Sequence, residues 1–337
     1  MTQTLRIKPG TEPILQKDWE TITQFIESRE WLALMPVLDS DQQDPLTATL
    51  PAYGAFMLGF DFHLTPSGPK LIEINTNAGG LSTLIALTNN AQEKQKLTEQ
   101  FLQAIKNEWL LFASEKPLRV IAIVDDDVTA QPFFPEMQAF AKILCNAGYD
   151  AITCSPEELD QTKNGLALNG KKIDLIYNRL VDFRLTEARH KNIRDALLKG
   201  QVALTPHPAV YVRCADKRRM VGWQHPVVPE THLLAERSLE VWQNDRKRWV
   251  FKPPTGAGSR GVYRGDKITI GKLSSLPPDT IVQKTVAPSA AADGSKMDVR
   301  VYTSGTHIIG AVSRQYTGQV MEMSSEKSGF KAVVIGN

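Results

Sequence analysis

Apolar side chains over residues 12–36 recur at helical spacing (Ile14, Leu15, Trp19, Ile22, Phe25, Ile26), which predicts an opening helix. The rhythm then changes. Ala55–Leu64 and Lys70–Asn75 are short strand-like runs divided by the turn sequence Thr-Pro-Ser-Gly-Pro at 65–69. Residues 90–113 return to helical spacing. After Lys116-Pro117 comes a continuous apolar run, Arg119–Val124, ending in Asp125-Asp126-Asp127. That is how a parallel strand buried on both faces and leading into a polar loop reads. A helix near 134–147, a strand near 149–154 and another over Ile173–Tyr177 complete a βαβ alternation and predict an open α/β lobe. From about 211 onward, strands separated by short turns alternate with helices near 216–223 and 234–244, an α+β pattern. These shifts divide the chain into 1–116, 117–210 and 211–337, and the fold class is α/β with α+β lobes. No internal repeat or low-complexity segment interrupts it.

Composition narrows the function. The 337 residues are 42% hydrophobic and 23% charged, with 39 basic and 37 acidic side chains, a formal net charge of +2. So even a balance speaks against a nucleic-acid or membrane-surface protein, which shows a basic excess on one element. Cys145, Cys154 and Cys214 are scattered and odd in number, which speaks against a disulfide framework and favours a reducing cytoplasm. No apolar run approaches the ~18 residues of a membrane span, and MTQTLRIKPG lacks the apolar core of a signal peptide. The histidines and cysteines show no metal-ligand spacing, and no Gly-x-Ser-x-Gly elbow is present. Zinc and serine- or cysteine-hydrolase chemistry are set aside.

Three segments carry candidate chemistry. Trp249–Val262 reads WVFKPPTGAGSRGV: a strand bearing Lys252 runs into a loop with Thr255, Gly256, Gly258, Ser259 and Gly261. Glycines let backbone N–H groups approach a polyphosphate, and the lysine adds a point charge. The loop is no P-loop, because no Gly-Lys-Ser/Thr follows, and an ordinary hairpin loop reads the same way. Leu71–Gly80 reads LIEINTNAGG. Glu73 and Asn75 leave the same face of a strand and offer oxygen ligands of the kind Mg²⁺ prefers. Asp61, on the preceding strand-like run, can come alongside across the turn. A solvated strand face is the alternative. Met297–Val301 (MDVRV) places Asp298 and Arg300 on one face, with Arg314 on the next run. Two arginines on neighbouring strands suit phosphate or carboxylate oxygens, and equally suit surface ion pairs. Arg179 and Arg184 in YNRLVDFR, and the loop 76–83 with Gly79 and Gly80, are candidate substrate contacts. Structural ion pairs explain both arginines as well. Ser324–Asn337 is a candidate flap.

Taken together, these segments resemble the ATP-grasp superfamily. The resemblance implies that Lys217, in RCADKRRM, and Lys252 are the two phosphate lysines and that the Gly-rich loop is the lid over the phosphates. Ile281-Val282-Gln283-Lys284, continuing to Val286, stands in the place of the hinge along the adenine. Residues 298–315 resemble the following strand pair, with Arg300 and Arg314 facing the phosphates as catalytic groups. In this superfamily an aspartate on one strand and Glu-x-Asn on the next hold magnesium; Asp61 precedes Glu73 by 73 − 61 = 12 residues. The Glu-x-Asn strand here precedes the α/β lobe instead of closing the chain. That order, and EINTNAGGL at 73–81, resemble the circularly permuted branch containing eukaryotic-type glutathione synthetase. Two departures stand out: Lys284 where many relatives carry glutamate, and no acidic ligand in Thr255-Gly256-Ala257. The resemblance implies ATP and Mg²⁺ as cofactors, small-molecule carboxylate and amine substrates, and amide formation through an acyl phosphate. A phosphotransferase on the same fold and an inactive nucleotide-binding regulator are the rival readings, and a homodimer is left open.

Overall fold

The computed structural model describes residues 7–33, 38–256, 260–318 and 328–336. The chain opens with a strand, β1 (Ile7–Leu15), and helix α1 (Gln16–Glu27) starts only after it. This corrects the helix expected from residue 12. Pro13 disfavours helical backbone at Glu12, and residues 11–15 pair in parallel with a strand more than 300 positions away, a partner no local periodicity reveals. Next come β2 (Phe56–Thr65) and β3 (Gly68–Asn75), joined by a tight turn in which Gly68 takes φ +95°. Helices α2 (Leu81–Leu87) and α3 (Ala91–Ala113) follow, the latter capped by the Asn90 side chain, which accepts from Gln92 and Glu93 N–H.

The middle of the chain is a parallel sheet: β4 (Val120–Val124), β5 (Asp150–Cys154), β6 (Leu175–Asn178) and β7 (Ala203–Thr205), in the order β7-β6-β4-β5. Ile121, Ala122, Ile123 and Val124 are all fully buried, as a continuous apolar run between covered faces requires. Helix α4 (Phe134–Asn146) crosses from β4 to β5. Where a helix was expected near 216–223 there is a single π-type turn, Tyr211–Ala215, then a 3-10 turn, Lys217–Met220. Asp216 breaks the run: its carboxylate accepts Arg218 N–H and pairs with the Arg218 guanidinium, which caps the second turn.

A small antiparallel sheet comes next, β8 (Thr231–Leu233), β9 (Trp249–Lys252), β10 (Tyr263–Arg264) and β11 (Ile281–Lys284), ordered β8-β11-β9-β10. The chain ends in β12 (Lys296–Ser304), β13 (His307–Tyr316) and β14 (Gly329–Gly336). The segment weighed as a flap is therefore a paired strand over 329–336; the rest of 324–337, apart from Ser328, lies outside the described residues.

The large sheet runs β1-β14-β13-β12-β2-β3, with Ser289–Ala290 also pairing on β12. Segments 56–75 and 296–316 are thus hydrogen-bonded neighbours despite their distance in sequence. Its back face packs Leu58, Phe60, Phe62, Val299 and Val301 against Ile22, Phe25 and Ile26 of α1. Near the other end, Phe56, Phe101, Phe140 and Tyr177 join the parallel lobe to the sheet; the Phe101 and Phe140 rings stack at 4.8 Å.

Candidate active site

Strand register builds the site. Asp61 lies opposite Arg300 on one side and Glu73 on the other; Asp298 lies opposite Arg314, and Gly59 opposite Asn75. Residues directly opposite one another share a sheet face, so these charged side chains all emerge on the front face, away from the apolar back. The pairing skips a residue between Asp61/Glu73 and Phe62/Leu71, leaving Ile72 in a bulge. Its carbonyl turns to Lys252 Nζ at 3.4 Å, so β3 meets the smaller sheet at the point where its carboxylate stands.

Asp61 sits at the centre. Arg300 donates to both its oxygens, Nε to Oδ1 and Nη2 to Oδ2, each at 2.7 Å. Arg314 Nη2 also lies 2.7 Å from Oδ2, and Asn75 Nδ2 donates to it at 3.0 Å. Arg314 is held in turn by Asp298 through two bonds of 2.7 Å. Asp61 was expected to hold a metal. Here it is 1% exposed and accepts from two guanidiniums and an amide, as a counter-ion orienting Arg300 and Arg314 does. Glu73 and Asn75 are different. The Asn75 amide nitrogen points to Asp61 and Glu73, which turns its oxygen away, and Glu73 is held only at 3.4 Å by Asn75 and 3.6 Å by Lys217. A carboxylate and an amide oxygen left this open fit a divalent cation.

Lys217 and Lys252 reach the same place from different elements. The Lys217 N–H donates to Pro254 O, tying its turn to the loop after β9. Lys252 is buried, with Nζ donating to Gln283 Oε1 at 2.7 Å. Burial acts to raise the Glu73 pKa, but Lys217, Lys252, Arg300 and Arg314 outweigh it and hold the group down at about 2. Burial pulls the Lys252 ammonium down to about 8; Lys217 adds to this and Glu73 opposes it. Four cations thus face three carboxylates in a sheltered cleft, an excess suited to an anion. A testable consequence concerns protons. Lys252 loses its proton as the pH of the free protein rises through 8, and a bound polyphosphate favours its return. Calorimetry of Mg-ATP binding in buffers of different ionisation enthalpy above pH ~8 is expected to show net proton uptake. Affinity should weaken as pH rises further, and Lys252→Met should abolish the uptake. Equal heats in all buffers for the parent protein would remove Lys252 from the site.

The other expected residues divide. Thr255, Gly256 (φ +123°) and Gly261 (φ +73°) are exposed beyond β9, whereas Gly258 and Ser259 lie outside the described residues. Gln283 faces inward to Lys252. Lys284, one residue on, necessarily faces outward; it is exposed and 3.7 Å from Glu230, so its side chain is directed away from the cleft. The Val286 carbonyl is taken by His63 Nδ1 at 3.0 Å. Arg179 is buried, donating to Ala78 O at 3.1 Å beside Glu136 at 3.7 Å, so it braces the loop instead of presenting a free guanidinium. Arg184 pairs with buried Asp41 and lies 3.9 Å from Asp216. For both arginines the ion-pair alternative describes what is seen.

Gly79 and Gly80 are needed for close approach. A Cβ on Gly79 would meet the Phe133 ring at 2.4 Å, and Gly80 has φ +113° under Tyr302 and Phe330. Tyr302 Oη donates to Gly79 O at 3.0 Å, and Gly80 N–H donates to Glu136 at 2.8 Å. Glu136 and His63 escaped the sequence reading. Nothing local marks Glu136, but His63 lies two residues after Asp61 on the same strand face, and alternation could have found it. Away from this cleft, Asp126, Glu187 and His190 bring potential ligand atoms within 4.8 Å of one another. His190 there already bridges Asp126 and Asp182, with both ring nitrogens at 2.8 Å.

No protein-family model matches this sequence, and no curated protein does. Solved structures do match. A glutathione synthetase-like effector from Globodera pallida, in its apo form, superposes with a TM-score of 0.60 at 12% identity, covering 100% of this chain and 91% of that one. A candidate gamma-glutamylcysteine synthetase from Methylobacillus flagellatus gives 0.54 at 13% identity, over 94% and 86%. The ATP-grasp ligase PsnB, solved with a minimal precursor, gives 0.37 at 14% identity, over 64% and 76%. At such identities the first two show a likeness of fold alone. Among the described residues, no helix is long and apolar enough to cross a membrane.

Proposed function

We propose that the protein, on its ATP-grasp-like fold related to glutathione synthetase, is a Mg-ATP-dependent ligase joining a carboxylate to an amine. The observation that carries this reading is the cleft between the two sheets. Lys217, Lys252, Arg300 and Arg314 converge beside the open oxygens of Glu73 and Asn75. A triphosphate needs cations and a metal-ligand pair side by side, and a solvated sheet face would not bury Arg300, Arg314 and Lys252 together.

In this reading Lys217 and Lys252 hold the phosphate chain, with the turn at Thr255–Gly256 over it. Glu73 and Asn75 hold Mg²⁺, which supplies charge neutralisation to the phosphate oxygens. Arg300 and Arg314, fixed by Asp61 and Asp298, lie where they can stabilise charge on the transferring phosphoryl group. A substrate carboxylate oxygen attacks the γ-phosphorus and ADP leaves. The amine nitrogen then attacks the acyl carbon, a proton is lost and phosphate departs. Loop 76–80 supports an amine site: Thr76 Oγ1 and Asn77 Oδ1 are buried there without hydrogen-bond partners among the described residues.

The test is incubation with Mg-ATP and pooled carboxylates and amines, read by product mass. Once a pair is found, carboxylate labelled with ¹⁸O should deliver one ¹⁸O to phosphate. A stable phosphorylated product with no amide would favour a phosphotransferase instead, and no ADP with any pool would favour an inactive binder.

A further inference from the structure

His63 has no part in the scheme above, yet it stands inside the cleft. It follows Asp61 by two residues on the front face of β2, and its surroundings include Asp298 of β12, Arg314 of β13 and Lys252 of β9. Its Nδ1 lies 3.0 Å from the carbonyl of Val286, two residues beyond the end of β11. A carbonyl oxygen can only accept, so Nδ1 must carry the proton in this bond. In a neutral imidazole Nε2 is then a bare acceptor. Burial, which pushes the ring below its usual pKa, keeps it neutral. Nε2 has no hydrogen-bond partner among the described residues.

We propose that His63 is the residue by which the cleft distinguishes an aminopurine from an oxopurine, with Nε2 accepting from the exocyclic amino group. The inference rests on the nucleotide reading and deepens it. Lys252 binds Gln283 on β11, and Val286 continues from that strand. A nucleotide with its phosphates at Lys217 and Lys252 therefore directs its base along β11 towards His63. The Val286 carbonyl has a second lone pair, so the end of the cleft offers acceptors only. An amino group at purine C6 donates to them. An oxo group there sets lone pair against lone pair and leaves the acceptors unsatisfied.

The measurement is calorimetric binding of ATP, inosine triphosphate and tripolyphosphate, all with Mg²⁺. The two nucleotides differ at C6 and in the N1 proton that accompanies the oxo group. Wild-type protein should bind ATP at least about tenfold more tightly than inosine triphosphate. His63→Leu should lower that ratio at least about threefold, by weakening ATP, while tripolyphosphate affinity stays unchanged. His63→Gln, which retains both a donor and an acceptor, should preserve most of the preference. The wild-type comparison needs no variant and stands even if His63→Leu misfolds. Equal affinity for the two nucleotides in the wild type, or an unaltered ratio in folded His63→Leu, would overturn the inference and leave the phosphate site intact. Failure of tripolyphosphate and both nucleotides to bind would overturn the nucleotide reading itself, and this inference with it.

Discussion

Glu73→Gln is expected to leave a folded protein that releases ADP about 10²–10³-fold more slowly at saturating Mg-ATP, the usual scale for losing one pre-organised charge at a phosphoryl-transfer site. The substitution keeps shape and a ligand oxygen but removes the charge a hard divalent ion needs. The fold should tolerate it at a cost of about 1–2 kcal/mol, because Lys217 and Lys252 lose a counter-charge. The pH dependence has a defined sign. The Glu73 pKa is depressed in the folded state, to about 2, so its stabilisation is present above the ordinary carboxylate pKa and fades as pH falls towards 2. Melting curves of parent and variant should therefore differ at neutral pH and converge in acid. Near-normal turnover in Glu73→Gln, with a substrate in hand, would return LIEIN to the status of an ordinary strand.

The opposite signature is expected one strand away. Asp61→Ala leaves Arg300 buried without its carboxylate and strips Arg314 of one of two partners. Removing one member of such a buried set costs about 3–5 kcal/mol, a large part of the ~5–15 kcal/mol that holds a typical domain folded. Urea unfolding should show the midpoint falling steeply, with or without Mg²⁺. A compensated variant separates the causes. Asp61→Leu with Arg300→Met replaces the pair by apolar groups and leaves Arg314 on Asp298, so stability should largely return while activity does not. If Asp61→Ala unfolds at the wild-type midpoint and loses only Mg²⁺ affinity, Asp61 is a metal ligand after all.

The contrast between these residues shows what could be read from the chain. Alternation in LIEIN puts Glu73 and Asn75 on one strand face, and a lysine ending a strand before glycines marks Lys252; both inferences depend only on neighbours in sequence. Asp61 shares that local logic, but its task is set by Arg300, 239 residues away, and no periodicity carries that distance. The ion pairs of Arg179 and Arg184 were hidden for the same reason: their partners Glu136, Ala78 and Asp41 lie on other elements. Lys284 is a different case. Alternation from Gln283 already turns it outward, and the hinge resemblance masked that. The opening strand was hidden because helical spacing and a sheet-edge strand give similar apolar positions over four residues.

The pairing of β2 with β12 has a consequence for how the molecule comes into being. On a growing chain the hairpin β2–β3 is synthesised early, but the strand that covers its outer edge emerges some two hundred residues later. Contacts of such separation form slowly, because a long loop must close before they contribute. Until then, Leu58, Phe60 and Phe62 sit on a strand with an open edge, the kind of surface that captures other chains. A nascent or truncated product that stops before residue 296 would hold Glu73 and Asn75 but neither arginine, and would be prone to aggregate. The cleft would be among the last parts of the protein to exist, so turnover regained during refolding should lag behind the return of helical signal.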